Sequence, residues 1–501
     1  QFMKRQTAIL THRVNPPAAG LLVPIYIVPS RFARQHCPNR LSSEPAWFIL
    51  TLSVQKMETP TIPIPLTSRA CSMPAPPSPF AVKLRRFAML IFLFSLLFAL
   101  APSAFAQQPA QQTAQQPLSL QDAATQGQFI FQQTGVTGMV LVIVRNREVV
   151  IKGYGETFPG SGHNPDSASL VRLCSVSKVF TTDLLQKLVT DGTVALADPL
   201  QRYAPPGKKV PIGANGTEIS LLDLATHTAG LPREVSAYPA KTPHFTFPDY
   251  ALRWKWLPNQ KLVSTPGTAA LYSNIGFDLL GDALESATGK PYATLLHDRL
   301  LQPLRMWDTT LFPSAEQCTR LLLGSGDEGP CTSTEESGAS GGIYSTPADM
   351  AKFLQYLLHT PDAPSLPAPS LTAYLDPAQL KSIQGLSHAG DPTGIGLAWI
   401  QIGDPTSPSS LLEKTGGGAG FTTYIALSPD RRTGIFLAAT EGKGKWQIDF
   451  YHESNNLLAA LANVPPLPPR LRPPPTVRKH PKRQRRMPAT RPSARPAAMR
   501  N

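Results

Sequence analysis

The chain has 501 residues, with 47 Lys and Arg against 33 Asp and Glu, a formal net charge of +14, and 53 prolines. The basic excess sits at the ends: residues 1–106 hold 11 basic and 2 acidic residues, residues 465–501 hold 11 basic and none acidic, and removing that +9 and +11 leaves −6 for residues 107–464. A mildly acidic body excludes a nucleic-acid-binding core, and the uneven ends confine the folded part to less than the full length.

In chain order, the first readable segment is "VKLRRFAMLIFLFSLLFALAPSAFAQQ", in which Lys83, Arg85 and Arg86 precede an apolar run over 87–101 and small residues at Ala104 and Ala106. This pattern predicts a secretory signal peptide over 83–106, cleaved after Ala106. The run is shorter than the roughly 20 residues of a membrane span, although an uncleaved anchor is the alternative. A signal peptide belongs at the start of a chain, so residues 1–82 are expected to be a disordered, non-native extension from an over-extended gene start, with Met73 or Met89 as the true initiator. Residues 107–117 are a Gln-rich linker, and 118–464 are expected to be the catalytic domain.

Export predicts a periplasmic location and an oxidising compartment for Cys174, Cys318 and Cys331. Cys318 and Cys331 flank "LLLGSGDEGP" and are expected to form a disulfide, closing a short loop worth roughly 3 kcal/mol in the chain-entropy model. Cys174 is then a free thiol.

"LSLQDAATQGQFIFQQTG" has helical spacing, and "GMVLVIVRNREVVIKGYGE" reads as two strands around a turn at 145–147. Between about 180 and 380 the patterns are mainly helical: "FTTDLLQKLVTDG", "SLLDLATHT", "IGFDLLGDALESATG", "PYATLLHDRLL" and "TPADMAKFLQYLLHT". A second hairpin is predicted in "GFTTYIALSPDRRTGIFLAAT" around 429–432, followed by a helix within 446–464. The expected fold is therefore α+β: an antiparallel sheet flanked by helices and built from both ends of the body, with a mainly helical insertion over roughly 200–380. The tail, 465–501, has 11 prolines and few apolar side chains, and is expected to be disordered. Its basic charge suits peripheral contact with anionic lipid or wall polymer, or a solubilising role.

Chemistry concentrates in three places. In "CSVSK", Ser175 and Lys178 are at i and i+3, one face of a helix, where an amine of lowered pKa can take the serine proton. A lone Ser-x-x-Lys carries little weight, since Ser53 and Lys56 match it in the discarded segment. Downstream stand Tyr272, Ser273 and Asn274 in "LYSNIGF", and Lys414, Thr415 and Gly416 in "EKTGGGAGF". Taken singly, Ser175 is as well explained as a helix cap, Tyr272 as a core aromatic and Lys414 as a strand-edge charge. A phenol with an ordinary pKa near 10 is a poor base at neutral pH, and two lysines beside it favour its ionised form.

The ordered trio resembles the signature of serine β-lactamases and penicillin-binding proteins, with the tyrosine pointing to their class C and DD-peptidase branch. "LATHTAGLPRE", "YAPPGKKVP", "SGGIYSTPADM", "AEQC" to "GPC" and "KTGGGAGF" resemble the AmpH-type D-alanyl-D-alanine carboxypeptidase/endopeptidases across 118–464. That resemblance implies an acylated nucleophile at Ser175, its proton partner at Lys178, a proton shuttle to the leaving amine at Tyr272, and positive charge at Lys414 near Tyr272 and the substrate carboxylate. It further implies substrate binding by Asn274 and by the strand at Thr415, Gly416 and Gly417, with the N–H groups of Ser175 and Gly417 as the oxyanion hole. Where this branch has Gly or Ala the chain has Cys174, expected to be buried packing rather than a rival nucleophile.

The implied function is hydrolysis of peptidoglycan peptides through an acyl-enzyme, with binding of β-lactams, no metal or other cofactor and no nucleic acid. Alternatives are a class C-like β-lactamase or esterase on the same fold, and a non-catalytic peptidoglycan- or penicillin-binding module. Other signals are set aside. "GASGG" around Ser340 lacks the strand-turn-helix context of a hydrolase elbow, "TGGGAG" lacks the Lys-Ser/Thr of a phosphate loop, and His227 is expected to hold a turn by hydrogen bonding.

Overall fold

The computed structural model describes residues 116–468, apart from 237–238, 240, 326–327, 362–370, 408, 443–445 and 447. The expected extension (1–82) and signal peptide (83–106), and most of the linker and basic tail, lie outside the described residues.

Helix α1 (Leu120–Thr134) starts at Ser119, whose side chain accepts from the Asp122 N–H, and stops at Gly135 in the left-handed region. Strands β1 (Gly138–Arg145) and β2 (Glu148–Gly155) follow as a hairpin. The longer helices of the middle are α2 (Ser177–Thr190), α3 (Asn274–Thr288) and α4 (Pro347–Leu357), separated by short helices and extended loops. The chain then returns to the sheet with β3 (Pro392–Ile395), β4 (Ile400–Ile402), β5 (Leu411–Gly418), β6 (Phe421–Leu427) and β7 (Thr433–Thr440), and closes with α5 (Phe450–Ala462).

These seven strands form one antiparallel sheet in the order β2-β1-β7-β6-β5-β4-β3. Its two halves join where β1 pairs with β7, from Met139 opposite Ala439 to Arg145 opposite Thr433. The α+β sheet from both ends is thus as expected. The sequence reading placed two hairpins and, through the resemblance, a strand at 415–417, which lies in β5, whereas β3 and β4 add two further strands. β3 holds Pro and Gly and β5 three Gly beside a Lys and a Glu, residues of weak strand propensity, and their state is set by pairing with neighbours.

Both faces of the sheet are covered. Met139, Leu141 and Ile143 of β1 pack with Ile130 of α1 and Phe450, Leu457 and Leu461 of α5, while Val140, Val142 and Val144 join a larger core with Phe180, Leu184, Phe353 and Leu354. Double burial is why β1 reads as a continuous apolar run instead of alternating. Each such side chain contributes about 1.5–3 kcal/mol on leaving water. Helix α2 is buried along its whole first half, from Ser177 to Leu185, so it runs through the molecule as a central post. Its Asp183–Lys187 ion pair (3.3 Å) is buried and shared with the Tyr356 hydroxyl.

Cys318 and Cys331 are joined as a disulfide, and Cys174 is buried and free. Burial pushes the Cys174 thiol up to about 12, so it stays protonated at neutral pH. Alkylation mapped by mass spectrometry should therefore leave Cys174 unmodified until the protein is denatured, and modify Cys318 and Cys331 only after reduction. The Cys318→Ser variant should lose about 2–3 kcal/mol of stability in urea unfolding.

Candidate active site

The short turn Cys174–Val176 leads straight into α2, placing Ser175 just ahead of the helix and Lys178 in its first turn. Ser175 caps nothing: the residue at the helix cap is Val176. The backbone at Cys174 has φ 51°, a left-handed conformation that glycine adopts freely and a side chain adopts at a cost of about 1–2 kcal/mol. Cys174 Sγ lies 3.2 Å from the Gly418 carbonyl oxygen, so the thiol serves as packing between the turn and β5.

Lys178 is fully buried, and its ammonium meets three acceptors, as an ammonium's three N–H bonds require. Nζ is 3.4 Å from Ser175 Oγ and 2.6 Å from Asn274 Oδ1, and it donates a short bond to the Ser340 carbonyl. Burial pulls its pKa well down, and the carboxylates of Asp278 and Glu234 pull it part of the way back. Asp278, one helical turn beyond Asn274 on α3, is itself buried, and its carboxyl is pushed up by that burial.

Tyr272 enters from the segment before α3. Its hydroxyl donates to Ser175 Oγ at 2.5 Å, and its backbone N–H is held by the Gln384 carbonyl at 3.0 Å. Ser273 caps α3 through the Gly276 N–H and donates to the Pro232 carbonyl, which aims Asn274 at Lys178. Asn274 Nδ2 gives one N–H to Glu234. Lys414, on β5 opposite Ile425, is buried with Nζ 5.0 Å from the Tyr272 ring centre. Burial lowers its pKa, while Tyr272 and Glu413 oppose that shift.

Cations crowd the Tyr272 ring. Lys178 Nζ is 4.9 Å and Arg233 Cζ 4.7 Å from its centre. The buried His227 imidazole stacks on the same ring at 4.5 Å. His227 holds its turn as expected, with φ 62° and Nδ1 accepting from the Ser273 N–H at 3.1 Å. Burial and the neighbouring Lys414, Lys178 and Arg233 keep the imidazole well below its ordinary pKa and hence neutral.

The structure therefore brings Ser175, Lys178, Tyr272, Asn274 and Lys414 together from three separate stretches of chain. Thr415 and Gly416 follow on β5, with Gly416 buried against the turn that carries Ser175 and Gly417 exposed beyond it. A side chain at Gly416 would meet Thr423 Oγ1 at 2.2 Å, the Leu173 oxygen at 2.9 Å and the Ser175 nitrogen at 3.1 Å. Thr423 in turn donates to the Leu173 carbonyl at 2.8 Å, tying β6 to the same turn.

Sequence reasoning missed four participants. Ser340 was set aside with its hydrolase-like pattern, and its hydroxyl indeed points elsewhere, to the Ser337 carbonyl and the Asp278 carboxyl. Its backbone oxygen, however, is a partner of Lys178, a role that no side-chain identity signals. Asp278 sits on the expected helix but reads as an ordinary polar position. Arg233 and Glu234 end the block "HTAGLPRE" and reach the site only through the fold.

A Beta-lactamase family model matches residues 110–459. The chain is 41% identical over 340 residues, 68% of its length and 88% of the relative's, to the D-alanyl-D-alanine-carboxypeptidase/endopeptidase AmpH of Escherichia coli strain K12. Among solved structures, a beta-lactamase/D-alanine carboxypeptidase from Yersinia pestis, complexed with citrate, matches at 41% identity with a TM-score of 0.62, covering 66% of this chain and 95% of that one. A D-alanine carboxypeptidase AmpC from Burkholderia cenocepacia, 22% identical with a TM-score of 0.53 over 68% of this chain and 99% of that one, shares the fold.

Gly416 offers a direct check on how closely β5 and the turn that carries Ser175 must approach. Gly416→Ala should force the two apart and lower acylation by a fluorescent penicillin at least about 100-fold, since misplacement by an ångström is enough for that loss. Gly417→Ala, whose added methyl meets only the Phe421 oxygen at 3.9 Å, should retain the fold, with a thermal midpoint close to that of the parent.

Proposed function

The chain belongs to the Beta-lactamase family, and from that premise we propose that it is a serine D-alanyl-D-alanine carboxypeptidase/endopeptidase, acting on peptidoglycan peptides through an acyl-enzyme and acylated by penicillins. The observation that carries this reading is Ser175 Oγ standing between Lys178 Nζ at 3.4 Å and Tyr272 Oη at 2.5 Å, with the buried Lys414 behind the tyrosine. A serine hydroxyl flanked by two proton-carrying groups is an activated nucleophile; a binding module has no need of one.

In this mechanism Ser175 Oγ attacks the carbonyl carbon of the penultimate D-alanine, and its proton passes to neutral Lys178. The backbone N–H groups of Ser175 and Gly417 receive the tetrahedral oxyanion. Tyr272 then delivers a proton to the departing amine, Lys178 restores it, and the C–N bond breaks to leave an ester on Ser175. Water adds to that ester as Tyr272 takes its proton and passes its own to neutral Lys178; the C–O bond to Ser175 then breaks, and Lys178 returns the proton so that Ser175 leaves as the free hydroxyl and the product as its acid. Asn274 keeps one N–H beyond the one given to Glu234, and with the edge at Thr415 and Gly416 it holds the substrate backbone. Lys178, Arg233 and Lys414 around the Tyr272 ring stabilise negative charge as it develops on the phenolic oxygen.

A β-lactamase or esterase would use the same acylation step and differ in how fast water clears the ester. The 41% identity to a protein named as a carboxypeptidase/endopeptidase supports the peptidase reading over these. The signal-like segment supports a periplasmic site of action, with the basic tail as a peripheral contact to anionic lipid or wall polymer.

Fluorescent penicillin should label the parent protein and leave Ser175→Ala unlabelled; an unlabelled parent would sink the acyl-enzyme. Purified muropeptides should lose terminal D-Ala or their cross-links, with Ser175→Ala slower by about four orders of magnitude or more. Dominant turnover of nitrocefin or a short-chain ester, with muropeptides left intact, decides for the alternatives.

The lysine sets a pH signature. Neutral Lys178 is the active form and burial lowers its pKa, so acylation should fall as pH drops through that lowered value, giving an acid limb well below the ordinary lysine range near 10. Asp278→Asn removes a carboxylate that favours the charged amine, so the limb should move to lower pH in a pH–rate profile. A shift to higher pH, or none, would count against this assignment.

A further inference from the structure

Of the three cations around the Tyr272 ring, two are sealed in. Lys178 is 0% and Lys414 2% exposed, whereas the Arg233 side chain is 57% exposed. Its backbone is nonetheless fixed, because the Arg233 carbonyl accepts from the Asn274 N–H at 2.8 Å and anchors it to the start of α3. The side chain lies over the catalytic tyrosine and alongside Gly385, where an added Cβ would stand 4.0 Å from Arg233 Nη1. Its nearest acid is Glu234, at 4.0 Å from Nε, beyond hydrogen-bond reach, and the same Glu234 oxygen already accepts from Asn274 Nδ2. The guanidinium makes no hydrogen bond to any described residue. A fork of open N–H donors thus stands at the mouth of a positively charged site.

We propose that Arg233 is a specificity-determining residue that receives the α-carboxylate of the leaving D-amino acid. The inference rests on the peptidase reading above. In that reaction the departing nitrogen must reach Tyr272 Oη to be protonated, and in a terminal D-alanine the carboxylate hangs from the carbon bonded to that nitrogen. The group following the nitrogen therefore lies beside the tyrosine, where Arg233 is the exposed cation. A planar guanidinium matches a carboxylate with two parallel bonds, which a lysine cannot do. Lys178 and Lys414 reinforce the positive field but are buried and committed to the catalytic groups.

The test compares diacetyl-Lys-D-Ala-D-Ala with its C-terminal carboxamide, using the ratio of their kcat/KM values for the parent protein, Arg233→Ala and Arg233→Lys. The parent should prefer the acid-ended peptide by roughly 10- to 100-fold, the range of a hydrogen-bonded charge. Arg233→Ala should bring the ratio close to one, chiefly through KM for the acid, and Arg233→Lys should fall between. Thermal unfolding checks that the variants fold, and if Arg233→Ala does not, the drop in ratio in Arg233→Lys carries the same test. A parent without preference, or a preference that survives in Arg233→Ala, overturns this inference and leaves the peptidase reading standing. A parent that cleaves neither peptide overturns the reading, and the inference with it.

Discussion

Everything in this site depends on burying one ammonium. Taking Lys178 out of water is affordable only because three oxygens meet its three N–H bonds, and they come from Ser175 on the same turn, Asn274 at the head of α3 and the Ser340 backbone in a Gly-rich loop. Those contributors are 3, 96 and 162 residues away in sequence. The folded state that satisfies the lysine therefore also brings together the Ser175 turn, the tyrosine segment and the loop behind them. The same burial that makes the amine costly to bury lowers its pKa and gives it a use, so stability and reactivity draw on one constraint.

The sheet supplies the other half. The pairing of β1 with β7 brings the two ends of the domain together and leaves β5 as an internal strand whose Lys414 side chain faces the site. The turn from Leu173 to Ser175 has to pass close to β5, and glycine at 416 allows that approach, with Thr423 clamping the turn from the next strand. The strained φ at Cys174 belongs to the same junction: the chain must bend sharply there to present Ser175, and a small buried side chain is what the bend accommodates.

The α+β plan, the N-terminal and C-terminal hairpins, the main helices and the disulfide between Cys318 and Cys331 could be read from the chain, because each leaves a local trace in apolar period, turn residues or cysteine spacing. The strands β3 and β4 could not: they are four and three residues long, and pairing with each other and with β5 decides their state. The reading of His227 as a turn-holding residue agrees with its bond to the Ser273 N–H, although its stacking on Tyr272 was not visible in one dimension.

By itself the sequence determined which side chains are available for chemistry and the order in which they occur, since Ser-x-x-Lys is a spacing within one helical turn, and "YSN" and "KTG" are short enough to recognise. What only the tertiary structure decided is which backbone oxygens and which distant charges meet those side chains. The Ser340 carbonyl on Lys178, the Asp278 carboxylate on the next turn of α3, and the exposed Arg233 beside the tyrosine leave no pattern, because a carbonyl is the same in every residue and a charge has meaning only relative to its neighbours in space.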